Sequence, residues 1–377
     1  MGFLNEDLIG VPGGAARLQT PALVVDLDVM EANIAAMAGH AKAKNIALRP
    51  HAKTHKCVGI SKRQLAAGAL GICVAKLGEA EAQADGGIQS ILVTSPVVTD
   101  AGIARLVALN ARVGDLMAVC DNAEVAARLA AAAEASGKPL RVLVDIDPGL
   151  GRTGVRPGAD AYALVEQVAK APGLEYAGLQ CYAGQVQHME SPNERRAASL
   201  SALAELVALR DTLAAPGLAP GILSGGGTGT FDIDPDAHAL SELQVGSYIF
   251  MDRQYNEVWE KPGERPPFET SLFVQTTVIS ANRDGLATTD AGFKSFATDA
   301  QAPKIASGAP EGANYFFFGD EQGGIFYSGG PKLAPGDVVR CVVPHCDPTV
   351  NLYDAIHAVR GDTLEAIWCV DGRGRSA

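Results

Sequence analysis

The densest chemistry in the chain lies early, in Arg49-Pro-His-Ala-Lys-Thr-His-Lys56. If residues 46–53 form a strand, successive side chains alternate between its faces. Arg49, His51, Lys53 and His55 then share one phase, while Ile46, Leu48 and Pro50 share the other. With the apolar set packed under helices, the charged set points into a barrel, where unpaired charge is expensive. A buried lysine beside two histidines and an arginine is a low-pKa amine suited to Schiff-base chemistry. A second cluster is Ser224-Gly-Gly-Gly-Thr-Gly-Thr230, with Gly246-Ser247-Tyr248 following one strand later. Glycines let a backbone approach a ligand, and Thr228 and Thr230 add hydroxyls. Barrels often bind phosphate in the loops after strands seven and eight. A third cluster is Pro344-His345-Cys346-Asp347. In extended chain His345 and Asp347 point the same way and can ligate one ion, leaving positions open for substrate oxygens. Cys346 points away. Each cluster also has a plain reading: a wet strand end, a ligand-free tight turn, a hydrogen-bonded His–Asp pair.

Further polar residues fall at the ends of expected strands: Lys76, Ser95, Asp147, Arg152, Tyr182, Gln185, His188, Asp252 and Tyr255. His40, His238 and His357 have no comparable setting and read as structural or surface residues. The elements that must position these groups alternate. Short β-rich runs at 46–53, 71–77, 90–95, 116–121, 141–147, 176–182, 221–225 and 244–250 are separated by Ala-rich runs with helical spacing. Eight β-then-α units imply parallel crossovers and a closed (β/α)₈ barrel. After residue 256 the texture becomes all-β, with strand-like runs at 273–281, 285–290, 314–319, 338–344, 356–360 and 363–370. The N-terminal run 22–28 is a candidate to complete that sheet. The expected division is 27–256 for the barrel and 1–26 plus 257–377 for the β domain.

Composition narrows the function class. Of 377 residues, 47% are hydrophobic and 20% charged, enough apolar material for a large core and against global disorder. The net charge of −12 argues against nucleic-acid or anionic-membrane binding. No apolar run reaches the roughly 18–20 residues of a transmembrane helix. The first residues carry Glu6 and Asp7 and no basic region, unlike a secretory signal. Seven scattered cysteines with no C-x-x-C pair read as reduced, mostly buried thiols of a cytoplasmic protein.

Residues 49–56, Gly225-Gly-Gly-Thr-Gly229, Leu243-Gln-Val-Gly-Ser-Tyr248 and His345-Cys-Asp-Pro-Thr-Val-Asn351 resemble the D-threonine aldolase family. That family is grouped with D-serine dehydratase-like, alanine racemase-type enzymes of fold type III. The likeness runs from about Gln19 to Arg375. It implies a barrel that binds pyridoxal 5'-phosphate (PLP), a C-terminal β domain, and a homodimer acting on a small-molecule amino acid. Carried over by residue, Lys53 would be the Schiff-base lysine, and Arg152 would contact the phenolate oxygen. Tyr182 would lie against the ring. Thr228, Gly246, Ser247 and Tyr255 would hold phosphate, His345 and Asp347 a divalent metal, and His188 would be the base at the substrate hydroxyl. Related dehydratases carry His-x-Cys at the metal position, a softer pair suited to zinc. The carboxylate here suits Mn²⁺ first, with Mg²⁺ or Ca²⁺ as alternatives.

The implied reaction is retro-aldol cleavage of β-hydroxy-D-α-amino acids to glycine and an aldehyde. Alternatives are dehydration of D-serine or D-3-hydroxyaspartate, cleavage of D-3-hydroxyaspartate, and PLP binding without turnover. The chain departs from the family pattern at Ala75, at Ser95-Pro96 and at Gln322, and the last of these bears on the substrate side-chain pocket.

Overall fold

The structure, a computed structural model, describes residues 2–259 and 266–377. The chain divides into two compact units. One comprises Met37–Lys53, Ile60–Gly246 and Gly374–Ala377; the other comprises Met1–Ala36, Thr54–Gly59 and Ser247–Arg373. Relative to the expected division at 27 and 256, residues 27–36, 54–59 and 247–256 cluster with the β unit.

The first strand, β1 (Ala22–Asp26), belongs to that β unit. The barrel unit then contributes β2 (Ala47–Leu48), β3 (Ile72–Val74), β4 (Ser90–Val93), β5 (Asp115–Cys120), β6 (Leu140–Ile146), β7 (Leu174–Cys181), β8 (Ile222–Gly225) and β9 (Glu242–Leu243). All eight are parallel, in the order β2-β9-β8-β7-β6-β5-β4-β3. The ends of this ladder meet at a parallel bridge between His51 and Cys73, where the Cys73 N–H donates to Pro50 O at 2.8 Å. The barrel is therefore closed.

Alternation explains why these short apolar runs become barrel strands. Ile72, Val74, Ile91, Val93, Leu116, Ala118, Val142 and Val144 pack outward under the helices. Their neighbours Cys73, Leu92, Met117, Val119 and Leu143 form a separate cluster of the opposite phase. The helices Asp100–Arg112, Ala123–Ser136 and Ala159–Lys170 turn apolar stripes such as Ile103/Leu106 and Val125/Leu129 onto the outer layer. Two of them start on side-chain caps, Thr99 to the Gly102 N–H and Asn122 to the Glu124 and Val125 N–H groups, satisfying donors a helix start leaves open.

The inward polar phase is paired. Arg49 Nε lies 2.8 Å from Glu242 Oε1, and both side chains are almost wholly buried. Arg49 Nη1 also donates to Ser90 Oγ at 2.8 Å, and Ser90 Oγ to Asp115 Oδ2 at 2.6 Å. Burial pushes the Arg49 guanidinium down, but Glu242 outweighs this and leaves it above its ordinary value.

Two expected strands differ. The run 46–53 keeps a regular ladder only over Ala47–Leu48, since Pro50 has no N–H to donate and Ala52–Thr54 coils into a 3₁₀ turn. The run 244–250 is paired two residues earlier, at Glu242–Leu243. Isolated bonds continue from Arg49 N–H to Leu243 O (3.0 Å) and from His51 N–H to Val245 O (2.9 Å) before a turn at Ser247–Ile249.

The second unit is a nine-stranded, mostly antiparallel sheet of β1, β10 (Leu272–Arg283), β11 (Leu286–Thr289), β12 (Lys304–Ser307), β13 (Asn314–Phe317), β14 (Gly323–Phe326), β15 (Val338–Val342), β16 (Ala355–Arg360) and β17 (Thr363–Cys369). Its main order is β13-β14-β11-β10-β1-β16-β17, with β15 bridging β10 and β12. The N-terminal β1 runs antiparallel to β10 and parallel to β16. Sequence pattern misses β12 and β14. The first is short and solvent-facing, and the second opens on a Gly-Gly pair that reads as a turn. No helix among the described residues is long and apolar enough to cross a membrane.

Candidate active site

Parallel strands end on one rim, and the barrel's C-terminal rim carries most of the candidate residues. Lys53 follows β2 in the Ala52–Thr54 turn and is half-buried. Its N–H lies 3.4 Å from His51 Nδ1, and His51 Nε2 lies 3.0 Å from Thr94 Oγ1. Arg152 follows β6 and sits over the Tyr182 ring after β7, 5.4 Å from Cζ to the ring centroid, a cation–π arrangement. Asp145, in β6, accepts from Gln180 Nε2 (2.9 Å) and Thr153 Oγ1 (2.8 Å); burial still pushes its carboxyl up to about 6. His188 is exposed, just beyond the Gly184–Val186 turn. Thr228 is buried in the turn after β8, and Gly246 follows β9.

The glycine-rich turn is shaped by protein as much as by any ligand. A Cβ on Gly229 would stand 2.0 Å from the Gln187 carbonyl oxygen, and one on Gly227 would stand 2.4 Å from Gln187 Oε1. Gln187 is itself buried. Its Oε1 accepts the Gly229 N–H (2.9 Å), and its Nε2 donates to Thr230 Oγ1 (3.0 Å). From the other side Asp234 accepts from Thr230 Oγ1 and Ser199 Oγ, both at 2.6 Å. Burial pushes the Asp234 carboxyl up to about 6 despite these bonds. Thr230 is thus engaged by its own chain, and Thr228 is a second buried threonine of the same turn. Gln187 escapes sequence reading because it acts across more than forty residues, and Asp234 because its second partner, Ser199, lies 35 residues away. The nearest signal is that Gln187 precedes His188.

The β unit holds the remaining candidates. Ser247 and Tyr255 are buried, in the Ser247–Ile249 turn and the Arg253–Trp259 helix. Fully buried Asp252 accepts the Tyr255 N–H (2.9 Å) and the Cys346 N–H (2.8 Å), tying Tyr255 to the His-x-Asp motif. Burial holds its carboxyl above the ordinary range against the pull of these two bonds. The motif is not the extended chain its sequence suggests. Cys346–Val350 is a short helix with His345 as its N-cap, because Pro348 is tolerated in a first turn whose N–H groups have no intrahelical partner.

The two side chains nevertheless converge, His345 Nε2 to Asp347 Oδ2 at 3.8 Å. Metal–ligand bonds of about 2.0–2.2 Å place two ligand atoms on one ion about 3–4 Å apart, so the donor set fits a single divalent ion. Thr54, next in the chain after Lys53, donates to Asp347 at 3.3 Å. Cys346 Sγ lies 3.5 Å from Asp347 Oδ2, and burial, with Asp252 and Asp347 beside it, pushes its thiol up. Among the described residues, no group of three or more His, Cys, Asp or Glu is arranged to hold a metal. His345 and Asp347 are the two residues whose side chains would hold such an ion.

Two family models match successive parts of the chain. The alanine racemase N-terminal domain model matches residues 25–254, and a serine dehydratase domain model matches residues 271–359. The chain is 38% identical to 3-hydroxy-D-aspartate aldolase of Paracoccus denitrificans (strain Pd 1222), over 99% of this chain and 97% of that protein. It is 41% identical to D-threonine aldolase of an Arthrobacter species, over 96% and 94%. The crystal structure of D-threonine aldolase from Filomicrobium marinum superposes with a TM-score of 0.92 at 38% identity, covering 96% of this chain and 98% of that one. The chain therefore belongs to the alanine racemase-like family of pyridoxal phosphate enzymes, among its aldolases, and is a lyase.

Proposed function

We propose that this lyase cleaves β-hydroxy-D-α-amino acids, D-threonine first among them, to glycine and an aldehyde, with a divalent metal as activator. The observation that carries this reading is the convergence of His345 Nε2 and Asp347 Oδ2 at 3.8 Å. An imidazole and a carboxylate suit a hard ion, Mn²⁺ before Mg²⁺ or Ca²⁺. Such an ion lowers the pKa of a hydroxyl it binds. Cleavage of Cα–Cβ needs a deprotonated β-oxygen, whereas dehydration needs that oxygen to leave with its bonding pair.

In this reading Lys53 holds the cofactor aldehyde, Arg152 its phenolate oxygen, and Tyr182 its ring. Thr228, Gly246, Ser247 and Tyr255 hold its phosphate. When bound, PLP supplies an electron sink for the charge left at Cα. His188 takes the β-hydroxyl proton. As the β-oxygen becomes a carbonyl, the Cα–Cβ pair stays with Cα, and a proton added there gives glycine. Buried Thr228 and the glycine turn support a phosphate at this rim. Free cysteines, six of them buried, suit a cytoplasmic protein, and the family resemblance implies a homodimer.

The similarity to 3-hydroxy-D-aspartate aldolase favours D-3-hydroxyaspartate as a second substrate of the same cleavage. Incubating the purified protein with each D-amino acid and Mn²⁺, and quantifying glycine, aldehyde, keto acid and ammonia, tests the reading. Glycine with a stoichiometric aldehyde supports it, and keto acid with ammonia replaces it by dehydration.

A further inference from the structure

We infer that Asp299 is a positioning residue for metal binding, fixing the His345 ring so that Nε2 faces Asp347. The inference rests on the metal reading above. His345 Nδ1 lies 2.7 Å from Asp299 Oδ2, while Nε2 on the opposite edge of the ring lies 3.8 Å from Asp347 Oδ2. A carboxylate at Nδ1 selects the tautomer with its proton there, which leaves the Nε2 lone pair for an ion. Partners of this kind orient ligating histidines and raise their basicity.

The contact is built into the fold. The segment carrying Asp299 is fastened to the motif helix and to the chain just after it: the Ala297 N–H donates to Thr349 Oγ1 (3.0 Å), and Tyr353 Oη donates to Ser295 O (2.9 Å). Thr349 Oγ1 in turn donates to His345 O at 2.8 Å, so the same threonine grips the ligand residue and the Asp299 segment. Nothing in the local sequence marks Asp299, which lies 46 residues before His345. The pair is also open to solvent, with Asp299 51% and His345 25% exposed. An exposed pair of this kind adds little to stability even when both partners are charged, so a role in the fold does not explain it.

The test is a titration of the PLP-loaded, metal-stripped protein with Mn²⁺, followed by calorimetry or the loss of the free-ion electron paramagnetic signal. Asp299→Asn should raise the Mn²⁺ Kd roughly 10–100-fold, the usual effect of losing such a partner. Asp299→Glu should recover part of the affinity. The visible PLP absorbance and the metal-free melting temperature should stay at wild-type values, and kcat should return at saturating Mn²⁺. A merely structural role would not be rescued by the ion. An Asp299→Asn protein that binds Mn²⁺ as wild type does would overturn the positioning role alone. A wild-type protein that binds no Mn²⁺ would overturn the metal reading with it.

Discussion

The glycine-rich turn of the barrel and the His-x-Asp motif of the sheet unit are held in opposite ways. Around the turn every support is buried: Gln187 and Asp234 clamp it by side-chain hydrogen bonds, and the glycines leave no room for a Cβ. Around the motif the supports grade outward, from fully buried Asp252 under the backbone to half-exposed Asp299 at the ring. A buried polar network fixes geometry but is costly when broken. A solvent-facing pair costs little to break and leaves a ligand adjustable. The two regions should therefore fail differently, the barrel through lost cofactor or lost fold and the motif through lost metal alone.

The sharpest break is at the barrel rim. Lys53→Ala should abolish the borohydride-reducible PLP adduct while Mn²⁺ binding survives. Trapping of PLP on Lys56 or Lys76 would show that the rim is read one turn wrong. Next in size, His188→Gln should lower kcat for D-threonine roughly 10²–10⁴-fold, as for loss of a general base, with PLP absorbance and Mn²⁺ affinity kept. Near-normal turnover would remove His188 from the chemistry.

Stability contrasts follow. Arg49→Met strands Glu242 in the barrel interior and should cost about 3–5 kcal/mol in urea unfolding, whereas Arg49→Met with Glu242→Leu should recover most of it. A single variant as stable as the wild type would mean that the pair is hydrated.

The smallest effect is in pH. Asp234 titrates at about 6 in the fold and near 3.9 unfolded, so the fold favours its protonated form. Its contribution is full below pH ~4 and lost as pH rises through about 6, a fall of about 3 kcal/mol. Asp234→Asn should remove that slope from the stability-versus-pH curve. An unchanged slope would show that Asp234 is solvated.

Much of this was legible in the residues. Short apolar runs between Ala-rich ones announce the barrel, because period-2 and period-3.6 burial leave different marks. The inward phase of Arg49 and His51 follows from alternation alone, and it brings Lys53 to the strand's end although the regular ladder stops at Leu48. What stayed hidden depends on distant partners. The glycine turn suggested room for a ligand, yet its close approach is to Gln187, 42 residues away in sequence from Gly229. The His345–Asp347 convergence was foreseen from an extended chain but is achieved by a helix N-terminus, where residues i and i+2 meet only because the N-cap is non-helical. Asp252 and Asp299 carry no local pattern at all.

Whether Cα–Cβ or Cβ–O breaks is decided by following D-threonine with the PLP-loaded protein before and after chelation. With Mn²⁺ present, glycine and acetaldehyde should appear in equal amounts. EDTA should silence the reaction while leaving the PLP absorbance in place, and added Mn²⁺ should restore it. Ammonia and 2-ketobutyrate in place of glycine, or full activity in a demonstrably metal-free preparation, would contradict the account.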